Sequence, residues 1–284
     1  MKKLLLPLLL VPACLFAEDT LQDQTKKVNQ PVKATFENSV LINNETVENP
    51  PQKTLDFIIQ HRFGVIKNTD DLFGLFASSN VRLGLTYGLT DRLAVGIGAT
   101  KNNHLYDLQW KYVLLKQTKP KGIPVTVAYF GDVARSASDK DHFLNSENKY
   151  KGSNRLSYFH ELMIARKVNS HISLQVAGTY SYFNIIDSLM EHTNIGTSFV
   201  GKYRFSPQSS VIVDFDYPVT VPEINKPKPN LGLGLEVSTS GHQFQIFVCT
   251  QDAIINQYTR VFNQNDFVKR EIMLGFNITR QWGF

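Results

Sequence analysis

From Thr54 to the last residue, apolar and polar positions alternate with a period of two, in segments of about ten residues separated by turn chemistry. "TLDFIIQHRF" sets Leu55, Phe57, Ile59 and Phe63 on one face. "NVRLGLTYG" sets Val81, Leu83, Leu85 and Tyr87 against Arg82, Gly84 and Thr86, and "LYDLQWKYVL" sets Tyr106, Leu108, Trp110 and Tyr112 against Asp107, Gln109 and Lys111. The pattern recurs in "RLAVGIGAT", "PVTVAYFGDVA", "RLSYFHELMIAR", "ISLQVAGTYSYF", "NIGTSFVGKYRF", "SVIVDFDY", "NLGLGLEVS", "QFQIFVCT" and "EIMLGFNITRQWGF". About twelve strands with one apolar face each predict an all-β fold, a closed antiparallel transmembrane β-barrel with an even strand number.

The connections support the same fold. "GLTDR", "KVNSH", "SPQSS" and "TSGH" are short turns, whereas residues 64–80, 136–152, 218–229 and 252–269 are long links. The intervening links tend to be the longer ones, as external loops are beside periplasmic turns in outer-membrane barrels, with "LLKQTKPKGIP" a somewhat long periplasmic turn and "KNNH" a short external link. Tyr87, Tyr106, Tyr112, Tyr203, Tyr217 and Trp282 fall near strand ends, where amphipathic rings anchor at a membrane interface. A soluble sandwich also alternates, but it accounts for neither the loop asymmetry nor the features of the two termini.

The N-terminus, "MKKLLLPLLLVPACLFAEDT", has Lys2 and Lys3 before an apolar run and Ala17 before Glu18, which predicts a signal peptide over residues 1–17 cleaved after Ala17. The competing reading is lipidation at Cys14, within "LVPAC". Export to the cell outer membrane follows from either. Without the leader the formal charge falls from +5 to +3, with 28 basic against 25 acidic residues, so the basic balance does not point to nucleic acid. Cys249 is then the only cysteine, and no intramolecular disulfide forms.

Residues 18–53 form a polar periplasmic segment rich in Asn, Gln and Thr and closed by Pro50 and Pro51, with a short strand expected at Val40 to Ile42. Two roles are open for it: to turn back and plug the barrel, or to bind a periplasmic or surface partner. The barrel itself is expected over residues 54–284.

The register opposite the lipid-facing one contains Arg62, Arg82, Asp107, Lys111, Glu161, Lys202, Arg204, Asp214, Asp216 and Glu236. These charges suit a narrow channel for small solutes, or a filled lumen in which opposite charges pair. Lys202 and Arg204 precede the strand of Asp214 and Asp216, which predicts pairing between them. Enzyme chemistry finds little footing: His61 and His160 fall in the lipid-facing register, near the rim or at a bulge, without a neighbouring Ser and acid in a recognisable order. No two histidines have metal-ligand spacing on one strand face, and no cofactor is expected.

The last strand runs to an aromatic end, with Phe276, Ile278, Trp282 and Phe284 in the outward register. It is expected to pair with the first strand, and its aromatic end resembles the signal read by the barrel-assembly machinery. That machinery and outer-membrane lipid are therefore expected partners.

"FENSVLINNETVE", "LDFIIQHRFG", "DLFGLFASSNVRLGLTYGLTDRL", "TKNNHLYDLQWKY", "NIGTSF" and "IMLGFNITRQW" together resemble the Bacteroidota outer-membrane β-barrel family known as domain of unknown function 5777, from about Phe36 to Phe284. The resemblance implies a fold and a compartment but brings no catalytic residue. It also implies that the chain from Phe36 belongs to the same module as the barrel.

Overall fold

The computed structural model describes residues 29–66, 72–120, 122–144, 149–187 and 189–284; the expected leader, with Cys14 and Ala17, lies outside them. The barrel strands are β1 (Thr54–Val65), β2 (Asn80–Gly88), β3 (Leu93–Thr100), β4 (Leu105–Leu115), β5 (Thr126–Ser136), β6 (Leu156–Lys167), β7 (Ile172–Phe183), β8 (Thr193–Arg204), β9 (Ser209–Pro218), β10 (Asn230–Ser238), β11 (His242–Cys249) and β12 (Met273–Gly283). Each pairs antiparallel with the next, and β12 returns to β1, closing a barrel of twelve strands. At the seam Trp282 lies opposite Leu55 and Gly283 opposite Thr54. Closure leaves no unpaired edge, the condition for a sheet to sit in lipid.

Side-chain hydrogen bonds shape the tight turns. Asn169 Oδ1 accepts from the backbone N–H of His171 and Ile172, both at 2.8 Å, and Thr90 Oγ1 accepts from Arg92 and Leu93. These local caps bend the chain within a few residues. The tight turns after β2, β6, β8 and β10 gather at one end with the C-terminus and the longer β4–β5 turn, the turn end. The long links gather at the other, the loop end, together with the four-residue β3–β4 link.

The expected alternation sets the two faces of the wall. Along β7, Leu174, Val176 and Tyr180 are exposed while Ser173, Gln175, Thr179 and Ser181 are buried. Leu83, Ile97, Leu108, Ile195, Leu233 and Ile246 give an outer apolar surface, and Tyr106 and Tyr217 near the loop end and Tyr203 and Trp282 near the turn end are exposed on the same face. Lipid covers such a surface and the aromatic tips reach its interfaces.

The inward face departs from an all-polar expectation. Phe130, Phe159, Met163, Val200, Ile212, Phe247 and Met273 point inward and are buried. Their partners come from outside the wall: Phe36, Leu41, Ile42 and Val47 pack into the same cluster. The segment read as periplasmic thus places its apolar side chains inside the barrel.

Candidate functional site

The lumen is filled by a short hairpin from the N-terminal segment. Val40–Leu41 pairs antiparallel with Asn44–Glu45, with Ile42 and Asn43 at the turn. Ile42 has φ 54°, a conformation that a β-branched residue rarely adopts. Three lumen side chains hold it there: Gln245 accepts from its N–H at 3.1 Å, while Arg62 and Asn277 donate to its carbonyl, both at 2.8 Å. Three strands therefore over-determine one strained residue, as such conformations require. Nearer the chain start, Gln30–Pro31 pairs with Thr118–Lys119, which gives the long β4–β5 turn its role.

Wall cations hold the plug largely through its backbone. Lys111 Nζ donates to the carbonyls of Ser39 (3.1 Å), Thr46 (2.9 Å) and Glu48 (2.9 Å) and pairs with the Glu45 carboxylate at 2.7 Å. Gln175 accepts from Val47 N–H and donates to Glu45 O, and Gln245 donates to Val40 O. Arg62 also donates to Asn43 Oδ1 and Asn277 Oδ1, with its guanidinium 4.5 Å from the Phe247 ring centroid. A backbone carbonyl gripped by an ammonium is a charge-assisted bond, stronger than a neutral one.

The remaining charges pair across the interior. Arg82 binds Asp107 through two nitrogens, at 2.5 and 3.1 Å, and donates to Gln60. Lys202 pairs with Glu236 at 2.6 Å and with Glu37, and Arg204 also pairs with Glu37. The expected pairing of Lys202 and Arg204 with Asp214 and Asp216 does not occur. The register explains why: Lys202 lies opposite Ile212 and Arg204 opposite Ser210, so both carboxylates sit nearer the loop end. Asp214 instead accepts from Asn43 and Gln251, and Asp216 from Asn230 and Arg260.

A second obstruction comes from the loop end. The β11–β12 link carries a helix, α1 (Asn256–Phe262), whose Gln257, Thr259 and Arg260 are buried. Gln257 donates to Asp132 at 2.9 Å. Arg260 donates to Asn44 and Asp216 and lies 3.7 Å from the Glu161 carboxylate, which also accepts from Ser198. Thr259 Oγ1 accepts from Asn43 at 3.0 Å. The plug tip and α1 meet inside the barrel.

Little space is left between them and the wall. A void bounded by Glu45, Asp56, Arg82, Gln109 and Lys111 measures about 20 Å³, room for about one water. Larger cavities lie towards the ends: about 750 Å³ beside Lys33, Lys119, Lys167 and Arg204 at the turn end, and about 590 Å³ beside Phe143, Phe183 and Phe262 at the loop end.

On the outer wall, His61 stacks on Phe276 with ring centroids 4.9 Å apart, one residue from the β1–β12 register irregularity. His160 lies mid-strand, away from rim and bulge, with Nδ1 2.6 Å from the Tyr129 hydroxyl. No serine joins it in the described contacts, and no cluster of metal-ligating side chains occurs among the described residues. Of the C-terminal aromatics, Trp282 lies beneath the Arg280 guanidinium and Phe284 is 78% exposed at the turn end. Ile278 lies on the outward face, opposite Phe244 and Ile59.

Sequence reasoning missed Asp56, Asp132, Glu37, Glu45 and Arg260. Asp56 and Asp132 alternate with outward apolar neighbours, which is a usable signal. The other three lie outside the strands of the wall.

Among solved structures, the barrel is similar to the COG4313 outer membrane channel from Pseudomonas putida F1, at 12% identity over 83% of this chain and 98% of that one, with a TM-score of 0.51. It is also similar to the KdgM porin (9%, 81% and 99%, TM-score 0.46) and to outer membrane phospholipase A from Escherichia coli (11%, 82% and 94%, TM-score 0.41). At these identities the likeness is one of fold. No curated protein matches the sequence. The family model for the membrane bound beta barrel domain, DUF5777, matches residues 36–282, plug and wall together, and the chain belongs to that family.

Proposed function

We propose that this protein is an outer-membrane barrel held shut by its own N-terminal segment, and that it serves as a non-conducting anchor whose turn end receives a partner. The observation that carries this reading is the use of Lys111, Arg62 and Lys202. Each points into the lumen, and each is engaged by the plug rather than facing a water path. Withdrawal of the segment would also bare Phe36, Leu41, Ile42 and Val47 to water, at about 1.5–3 kcal/mol for each side chain. On this reading the short turns face the periplasm, where the cavity beside Lys33 and Lys119 is the surface offered to a partner. Cleavage after Ala17 and insertion by the barrel-assembly machinery belong to the same proposal.

A second reading, a channel for small solutes opened by withdrawal of the plug, is favoured by the large cavities that approach the obstruction from both ends. Planar-bilayer recording separates the two. The anchor reading expects a silent bilayer with the full chain over a range of voltages and steady conductance once residues 30–50 are deleted. Steady conductance by the full chain would overturn it, and solute-triggered opening would favour the channel.

A further inference from the structure

The β5–β6 link, the β7–β8 link and α1 line an open cavity with aromatic side chains at the loop end. Phe183 lies edge-on to Tyr258 and to Phe262, with ring centroids at 5.2 and 5.4 Å, and Tyr258 and Phe262 are 5.5 Å apart. Val261 and Met190 pack against Phe183, and Met190 also lines the cavity. Phe262 keeps 37% of its surface exposed. The cavity measures about 590 Å³, within the range of sites that take drug-sized molecules.

Charge narrows the ligand. The described residues lining the cavity include Asp187 and His142 but no lysine or arginine, and the Arg155 guanidinium behind Phe143 is spent on the carbonyls of Ser136 and Ser138. Asp187 is exposed, and its Oδ1 accepts from the Leu189 N–H, a bond within its own loop. An aromatic face is attracted to a cation, and a carboxylate beside it adds to that preference.

We propose that this cavity binds a small aromatic molecule carrying one positive charge, with its ring against the exposed side of the Phe183, Tyr258 and Phe262 cluster and its cation towards Asp187. The site is distinct from the plug and does not depend on whether the plug ever leaves. It does share α1 with it: Tyr258 and Phe262 line the cavity, while Thr259 and Arg260 on the same helix hold Asn43 and Asn44.

The test uses the full chain in lipid nanodiscs and saturation-transfer NMR with phenethylamine, set against phenylacetate, which has the same ring and the opposite charge. Empty nanodiscs measure partition into lipid. Phenethylamine is expected to bind saturably above that background, and Phe262→Ser to weaken it by about fivefold. Asp187→Asn is expected to reduce the preference for phenethylamine over phenylacetate by a similar factor. Both positions are exposed, and the gel shift of the folded barrel verifies each variant. A phenethylamine signal equal to that of empty nanodiscs overturns the proposal, as does binding that neither substitution changes.

Discussion

Arg260 of α1 donates to the side-chain oxygen of Asn44 at the tip of the plug, so the part of the chain that enters from the turn end is held by the part that folds in from the loop end. The same guanidinium faces Asp216 and Glu161 and lies 4.9 Å from the Phe159 ring centroid. Arg260→Ala removes the cation and leaves two carboxylates buried, a change expected to cost about 3–5 kcal/mol. Urea unfolding of the refolded barrel measures it. Adding Glu161→Gln and Asp216→Asn should recover part of the loss, since the stranded charges are then gone. A cost under about 1 kcal/mol would mean that solvent screens the cluster.

Lys111 grips the plug through three carbonyls and the Glu45 carboxylate. Lys111→Met keeps the length of the side chain and deletes every donor. The plug should then open more often. Thiol labelling of a Val47→Cys variant reads this directly, because Val47 is buried and the native Cys249 is buried too. Labelling is expected to be at least about tenfold faster with Lys111→Met, equivalent to about 1.4 kcal/mol in the opening equilibrium. Equal rates would assign the plug's hold to other contacts.

The wall was legible in the sequence because its rule is local. Asp107 faces inward since Tyr106 and Leu108 face outward, and the same arithmetic places Arg82, Glu236 and Asp214. The same arithmetic holds where both faces are apolar, as at Tyr129 and Phe130, although the contrast there is weaker. Pairing is a different matter. Lys202 reaches Glu37 and Glu236 instead of Asp214 because inter-strand register and the path of the plug decide which charges meet. The contact between Asn38 and Thr279 spans 241 positions, a relation that no periodicity encodes. Arg260 sits in a link whose sequence shows no alternation, so its burial depends on what it folds against.

Gly232 on β10 makes room for the strained turn of the plug. A Cβ at this position would lie 2.9 Å from Ile42 Cγ2 and would also crowd the Asp214 carboxylate. Overpacking of this kind costs about 1–3 kcal/mol, so Gly232→Ala should destabilise the barrel by that amount in the same unfolding assay. Ile42→Ala frees the space on one side. The double variant should therefore lose less than the sum of the singles, a coupling of at least about 0.5 kcal/mol. Strict additivity would show that the added methyl is absorbed by Asp214 alone.

The exposed end of β12 gives the remaining prediction. Phe284 donates its N–H to Lys53 O at 2.9 Å, while its ring packs against little and is 78% exposed. A large apolar side chain left so open adds little to the folded barrel. Its deletion should therefore leave the unfolding free energy of refolded protein, measured in urea, within about 0.5 kcal/mol of the parent. If the ring is instead read by the assembly machinery during insertion, the same deletion should reduce the amount of protein reaching the outer membrane several-fold in cells. Phe276→Ala makes the contrast, because it removes a ring stacked on His61 in the seam and should lower stability itself. Membrane fractionation set beside unfolding of purified protein separates the two effects. Normal insertion without Phe284 would remove the assembly role, and a large loss of stability would recast the residue as part of the seam.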